Sequence, residues 1–209
     1  MTTRVVTCRF DAADHRYYLD GSLVPSITQC LERAGWVDST WMTEHSAARG
    51  TEIHLATARY DLGALQIEDY TGAHRGYLLA HVSAMTMLRP EILAVEEPHV
   101  HPALRFGGRV DRIVRIHGVL GVLEGKSGQA APLRRVNGSH ETTAHALQLA
   151  LQAILVAPIY HLPPEAVARW VLYWRRNGTF RLQTPLDGRD FDLAYRIIQQ
   201  ANDRQRWQE

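Results

Sequence analysis

The chain has 209 residues, of which 45% are hydrophobic and 22% are charged, and its formal net charge is +1. This length and composition predict one globular domain whose core needs no disulfide staples. A net charge this small excludes a global field that draws the protein to nucleic acid, so any DNA contact must come from local basic clusters. The two cysteines, Cys8 and Cys30, cannot supply a four-ligand zinc or iron–sulfur site, and they indicate a reducing compartment.

The first half of the chain is predicted to form a hairpin followed by helices. Asp20-Gly21 is typical of a two-residue hairpin turn, and Ser26 with Gln29 forms a capping-box pattern that starts a short helix. In chain order we expect a hairpin over residues 15–25, that short helix, a helix over about 40–60 interrupted or kinked near Gly50, and a helix over about 69–88. The hairpin and first helix, about residues 1–36, are predicted as an appendage to the domain.

The second half is predicted to form a sheet covered by helices. Runs rich in Val, Ile and Leu predict strands over residues 92–100, 106–116 and 119–126, and His117-Gly118 is typical of a tight antiparallel turn. A helix over about 141–156, a hairpin over 168–184 and a final helix over about 191–207 follow. This order predicts a single α/β domain with a mixed central sheet flanked by helices.

One acid and one lysine stand two residues apart near the end of a predicted buried strand. Side chains two apart share a strand face, so Glu124 and Lys126 lie together while Leu123 points into the core. Lys126 is the single lysine among 23 cationic residues, which indicates a chemical requirement that arginine cannot meet. An acid and a lysine on one face can perform metal-assisted hydrolysis, in which the ammonium holds or deprotonates the attacking water.

Asp111 lies on the preceding predicted strand, after the paired glycines Gly107 and Gly108. Antiparallel pairing about His117-Gly118 predicts that Asp111 lies close to residues 124 and 125. Two carboxylates on adjacent strands can then converge on one cation, and the glycines allow a close backbone approach.

Together these residues resemble the RecB-like, phage-encoded branch of the PD-(D/E)XK nucleases. The resemblance covers roughly residues 10–200, and its motifs are specific in their order and spacing. In chain order they are His15-x-Tyr17, Pro25-Ser26-Ile27-Thr28, Arg49-Gly50-Thr51-Glu52-Ile53-His54, Gly108-x-x-Asp111, Glu124-x-Lys126 and a helix that carries Gln148. The resemblance implies a restriction-endonuclease-like fold over residues 1–209.

The resemblance also implies a metal centre for Mg²⁺, with Mn²⁺ as a substitute. Asp111 and Glu124 would be ligands, helped by the carbonyl of Gly125. His54 matches the helical histidine of the family, and Glu96 falls where related nucleases place an additional acid. The twin of Glu96, Glu97, is expected to point to solvent.

Further residues are implied in catalysis and substrate binding. Lys126 would orient the water and stabilise charge on the scissile phosphate, and Gln148 matches the first position of the Q-x-x-x-Y motif of the family. The tyrosine position of that motif is Gln152, a departure from the family. The two amides share a helical face, where they could contact phosphate oxygens or hold Glu124 and Lys126 in place. The basic pair Arg134 and Arg135 is a candidate substrate contact.

The expected function is hydrolysis of DNA phosphodiester bonds that leaves a 5′-phosphate. Exonuclease action on DNA ends, in phage-type recombination or DNA processing, is preferred. A site-specific endonuclease of the same fold, or an inert DNA-binding or assembly protein, are the alternatives. DNA is the expected partner and a single-strand-annealing protein a candidate second one, while the oligomeric state is left open. The N-terminus lacks a signal-peptide pattern and no apolar run reaches about 20 residues, which predicts a cytoplasmic protein without a membrane partner.

Overall fold

The computed structural model describes residues 7–37, 44–138 and 140–206. The helices are α1 (Ile27–Arg33), α2 (Glu44–Asp61), α3 (Arg75–Leu88), α4 (Ala144–Val156) and α5 (Arg189–Arg206). The strands are β1 (Cys8–Asp11), β2 (Arg16–Leu19), β3 (Ser22–Val24), β4 (Glu91–His101), β5 (Phe106–Ile116), β6 (Val119–Lys126), β7 (Arg134–Asn137), β8 (His140–Thr142), β9 (Ala168–Trp174) and β10 (Phe180–Gln183).

A five-stranded mixed sheet forms the centre, with the strand order β10-β9-β6-β5-β4. β6 and β9 run parallel, while the other neighbouring pairs run antiparallel. The parallel pair requires a crossover, which α4 supplies between β6 and β9. The predicted α/β class with a mixed sheet between helices is therefore confirmed.

Apolar side chains bury both faces of this sheet. One cluster joins the sheet to α1, α4 and α5 through residues such as Val122, Leu147 and Ile197. A second cluster joins the sheet to α2 and α3 and includes Leu123 and Trp174. Because neighbouring residues of β6 fall in opposite clusters, the end of β6 lies between two layers of helix, where charged side chains need partners.

The N-terminal segment packs against the paired glycines at the start of β5. A β-carbon added to Gly107 would lie 2.5 Å from the ring of Tyr17, and one added to Gly108 would lie 2.5 Å from the Ile27 side chain. Tyr17 is 1% exposed, and α1 contributes Ile27, Cys30 and Leu31 to the larger core cluster. The groups that lie close to the Gly107 and Gly108 backbone are thus side chains of the N-terminal segment.

Several element boundaries differ from the sequence-based expectation. α2 continues through Gly50 without interruption, and its predicted start near residue 40 lies outside the described residues. α3 begins at Arg75 because a 3-10 helix at Ile67–Asp69 and a turn come first. α4 begins after Thr143, whose hydroxyl accepts a hydrogen bond from the backbone N–H of Ala146 at 3.1 Å.

Two pairings were not predicted from the sequence. β1 adds a third strand to the N-terminal hairpin, and β7 and β8 form a small hairpin inside the predicted polar loop. The strands of the first hairpin, by contrast, lie where Asp20-Gly21 predicts them. In the part of the chain that the structure describes, no helix combines the length and the apolar character that crossing a bilayer requires.

We expect Gly107→Ala to lower the free energy of unfolding by about 1–3 kcal/mol, because its methyl group would overlap the Tyr17 ring. Gly128→Ala is the matched control, since a β-carbon there meets nothing within 4 Å. Urea unfolding of both variants measures the difference. Equal stability of the two variants would contradict the tight packing of the N-terminal segment on β5.

Candidate metal-dependent active site

The pairing of β5 with β6 brings the predicted acid–acid–lysine set together. Arg112 pairs with Leu123 in the sheet, which places Asp111 opposite Glu124. The backbone N–H of Gly125 donates to Asp111 Oδ2 at 2.8 Å, and Lys126 Nζ donates to Glu124 Oε1 at 2.6 Å. The predicted proximity of Asp111 to residues 124 and 125 is confirmed.

Two amides of α4 complete the surroundings of Glu124, which is 3% exposed. Gln148 Nε2 donates to Glu124 Oε1 at 2.7 Å, and Gln148 Oε1 accepts from Lys126 Nζ at 3.0 Å. Gln152 Nε2 donates to the other oxygen, Glu124 Oε2, at 2.7 Å. Of the two roles left open for these amides, holding Glu124 and Lys126 in place is the one that the structure supports.

A second group of side chains lies on the other side of Asp111. His54 of α2 places its Nδ1 3.3 Å from Asp111 Oδ2 and 3.5 Å from Glu96 Oε1. One ligand atom from each of His54, Glu96 and Asp111 falls within 4.8 Å of the others. Three elements distant in sequence therefore present an imidazole and two carboxylates to one point.

Backbone geometry explains how Glu96 reaches this group. Glu96 lies between the pairs Val95–Arg112 and Glu97–Val110, which places it across from Asp111, and its φ of 53° is left-handed. Such a φ is costly for a residue with a side chain and persists only where the surrounding structure enforces it. The side chain of Glu97 is 55% exposed, so the expectation that it points to solvent is confirmed.

The residues of this group fit a hard divalent cation. Glu96 Oε1 is buried and lacks a hydrogen-bond partner in the described part of the chain, and a bound ion would satisfy it. Carboxylate oxygens are the ligands that Mg²⁺ and Mn²⁺ prefer, and the imidazole would hydrogen-bond a water held by the ion. Glu124 lies outside the three-residue group, so its ligation of the same ion, and that of the Gly125 carbonyl, stays a prediction.

Burial and neighbouring charges shift the pKa values of Asp111 and His54. Burial raises the pKa of Asp111 to about 6, and the negative charge of Glu124 adds to the rise. Burial opposes protonation of His54, but Asp111 and Glu96 outweigh it and raise the pKa of the imidazole. Both shifts disfavour uncompensated negative charge at this centre, and a bound cation would supply the compensation.

The neighbouring Glu124–Lys126 ion pair stays charged, because the pKa of the acid is lowered and the pKa of the lysine is raised. Burial favours neutral Glu124, but the Lys126 ammonium and the hydrogen bond from Gln152 outweigh it and lower the pKa of Glu124. Burial likewise disfavours the ammonium of Lys126, yet Glu124 and Asp111 raise its pKa. Lys126 therefore remains an ammonium, which favours holding the water over deprotonating it.

Behind the centre lies a buried polar network that sequence reasoning missed. Arg112 and Asp61 form an ion pair whose side chains are both 1% exposed, and His81 Nε2 lies 2.8 Å from Asp61. The rings of His81 and His54 each lie 5.5 Å from the Trp174 ring, so Trp174 contacts both the network and the imidazole of His54. Arg112 is therefore an internal residue and not a surface cation.

The basic pair predicted to bind substrate has partners outside the acid–lysine cluster. Arg134 donates to the carbonyl of Gly35 at 2.7 Å and stacks over Trp36, and Arg135 pairs with Glu141 at 3.2 Å. Neither arginine lines the cleft that opens onto His54, Glu96 and Asp111. Substrate binding by Arg134 and Arg135 stays a prediction.

A cleft of about 580 Å³ opens onto His54, Glu96 and Asp111. Its walls come from the N-terminal hairpin, α1, α2 and the centre itself, including Tyr17, Thr28, Leu55 and Arg59. Arg109 binds Glu96 at 3.0 Å at its rim and was not assigned to the site from sequence. The cleft gives a substrate access to His54, Glu96 and Asp111.

Comparison with known proteins adds no family assignment. No family model matches the chain, and no curated protein matches it. The chemistry of the site must therefore be argued from its own residues.

We expect Asp61→Asn to lower the free energy of unfolding by about 3–5 kcal/mol, because it leaves the Arg112 guanidinium buried without its counter-charge. The matched control is Glu91→Gln, which breaks an exposed ion pair with Arg115 and should cost about 0–1 kcal/mol. Urea unfolding measures both variants. A cost for Asp61→Asn no greater than that of the control would refute the buried network.

Proposed function

We propose that this chain is a metal-dependent deoxyribonuclease of the PD-(D/E)XK type that hydrolyses DNA phosphodiester bonds, with Mg²⁺ as its cofactor and Mn²⁺ as a substitute. The observation that carries the proposal is one constellation. An aspartate, Asp111, separates a Glu124–Lys126 pair on one side from a His54–Glu96 pair on the other. Two acids and a lysine on adjacent strands can bind a divalent cation and position the water for metal-assisted phosphodiester hydrolysis.

The residues that would hold the ion are His54, Glu96 and Asp111. When bound, a divalent cation supplies Lewis-acid stabilisation of charge on the phosphate and makes water a better nucleophile near neutral pH. The described contacts add a reason for binding, because a cation would relieve the repulsion among Asp111, Glu96 and Glu124.

Lys126 would act as a fixed hydrogen-bond donor to the attacking water or to a non-bridging phosphate oxygen. Its ammonium is already oriented by Glu124 and Gln148, so little reorganisation is needed when the substrate arrives. Gln152 is a positioning residue, since it acts on Glu124 and not on the phosphate in this geometry. The amide at the tyrosine position of the family motif would thus take a structural role.

A catalytic role accounts for these contacts better than an inert binding role. Burying the Glu124–Lys126 pair carries a desolvation cost that apolar residues of similar size would avoid. A protein that only binds DNA gains nothing at this position from that cost. We further propose exonuclease action on DNA ends, in phage-type recombination or DNA processing in the cytoplasm, with release of a 5′-phosphate.

A digest of linear and closed-circular DNA tests the function and its alternatives together. With Mg²⁺ we expect the linear DNA to be degraded progressively and the closed circle to survive, and EDTA should stop the reaction. Cleavage of the circle at defined sites would favour a site-specific endonuclease. If both DNAs survive and are merely bound, the nuclease proposal is wrong.

Lys126→Ala should reduce the cleavage rate by about 10²-fold or more, because the ammonium that stabilises developing charge is lost. DNA binding, measured by fluorescence anisotropy, should persist and shows that the variant is folded. Cleavage at the wild-type rate would remove Lys126 from the mechanism.

Asp111→Asn should weaken Mn²⁺ binding about tenfold or more. Loss of a side chain that only orients a metal ligand already costs about that much, and Asp111 is itself a proposed ligand. Isothermal titration calorimetry measures this without any DNA. Glu97→Gln is the matched control, because it also removes one acid but from a side chain 55% exposed to solvent. Identical Mn²⁺ titrations for the two variants would count against a metal centre at Asp111.

A further inference from the structure

Three side chains form a row across the sheet, from Lys126 on β6 to the edge strand β10. Lys126 of β6 is the cross-strand partner of Tyr173 on β9, and Tyr173 is the partner of Arg181 on β10. Cross-strand partners lie on one face of a sheet. Because neighbouring strands are about 4.8 Å apart, the backbone at Arg181 lies about 10 Å from that at Lys126.

The charge at the outer end of this row is not neutralised. The Arg181 guanidinium lies 4.9 Å from the centre of the Tyr173 ring, and Arg181 Nη2 donates to Gln183 Oε1 at 3.3 Å. The side chain is exposed, and among the described residues it forms no ion pair with a carboxylate. Lys126, at the inner end, is paired with Glu124. Arg181 therefore offers a guanidinium that lacks a carboxylate partner among the described residues, beside the proposed active site.

His145, in the first turn of α4, adds a neutral donor above the row. Its Nδ1 accepts from the backbone N–H of Ala131 at 3.4 Å and lies 2.9 Å from the Tyr173 hydroxyl. A backbone N–H can only donate, so Nδ1 carries no proton, and the ring proton is on Nε2. No partner for that Nε2–H occurs within residues 7–37, 44–138 and 140–206.

A depression of about 320 Å³ adjoins the row. Its lining includes Ala131, Thr143 and Arg181, and no acidic side chain contributes to it. The surface from Lys126 outward thus combines a cationic fork and an imidazole donor, and the buried ring of Tyr173 lies beneath them.

We propose that His145 and Arg181 form a binding track for the DNA backbone that begins beside Lys126, in which they contact phosphates adjacent to the scissile one while the buried Tyr173 supports both side chains. This inference rests on the proposed function. The guanidinium fork matches phosphate oxygens, and phosphate contacts fix the register of DNA without reading its sequence. The DNA backbone would then run from His54, Glu96 and Asp111 across β6 and β9 to the edge strand β10.

The test compares Arg181→Gln with Arg196→Gln, which removes an equal charge from an exposed position on α5. The probe is a fluorescein-labelled DNA duplex in EDTA, with anisotropy measured over a salt series. Arg181→Gln should raise Kd about 3- to 10-fold and reduce the steepness of the log K–log salt plot by about 1, as loss of one phosphate contact does. Arg196→Gln should match the wild type in both.

Cleavage kinetics separate this role from a catalytic one. In Mg²⁺, Arg181→Gln should raise KM with kcat unchanged, since it removes binding that is equal in ground state and transition state. Arg181→Lys, which keeps the charge, should recover part of the loss. A loss of kcat with unchanged KM would overturn the track.

The two proposals fail in distinguishable ways. If the wild type cleaves DNA while Arg181→Gln binds it with the wild-type Kd and salt dependence, the track is wrong and the nuclease function stands. If the wild type neither binds nor cleaves DNA, the proposed function fails and the track fails with it.

Discussion

The repulsion among carboxylates of the adjacent strands β4, β5 and β6 is the constraint on which the rest of this structure depends. Asp111 lies opposite Glu124 in the sheet, and its carboxylate faces the His54–Glu96 pair on the other side. Like charges at such separations, with little solvent to screen them, cannot all stay ionised without compensation. Each polar contact around them can be understood as part of that compensation.

The negative charges on the two sides of Asp111 are compensated in different ways. On the β6 side, Lys126 and the two amides of α4 satisfy both oxygens of Glu124, so this acid is neutralised within the protein. On the α2 side, His54 and Arg109 reach Glu96, but Glu96 Oε1 keeps no hydrogen-bond partner in the described residues. The charge left over therefore lies on the His54 side, and that is where a divalent ion would belong.

The fold and the β6 half of the site could be predicted from sequence because local rules govern them. A period of two on a strand places Glu124 beside Lys126, and the His117-Gly118 turn fixes the register that brings Asp111 to Gly125. The four-residue spacing of Gln148 and Gln152 predicts a common helical face. These relations span one element or one tight turn, so little tertiary knowledge is needed.

The rest depends on contacts between distant elements. Asp61, His81 and Arg112 come from α2, α3 and β5, and no spacing in the sequence pairs them. The left-handed backbone at Glu96 is imposed by its position in the sheet, since nothing in its local sequence favours a positive φ. β7 and β8 are too short and polar to stand out from a loop. The contacts of Arg134 with Gly35 and of Arg135 with Glu141 likewise have no signal in the sequence.

Anomalous diffraction from a crystal grown with Mn²⁺ tests the central claim most directly. The account predicts one strong manganese peak within bonding distance of Glu96 and Asp111, with the His54 ring or a water bound to it beside the ion. A crystal saturated with Mn²⁺ that shows no peak at these carboxylates, or a peak elsewhere on the chain alone, would contradict it.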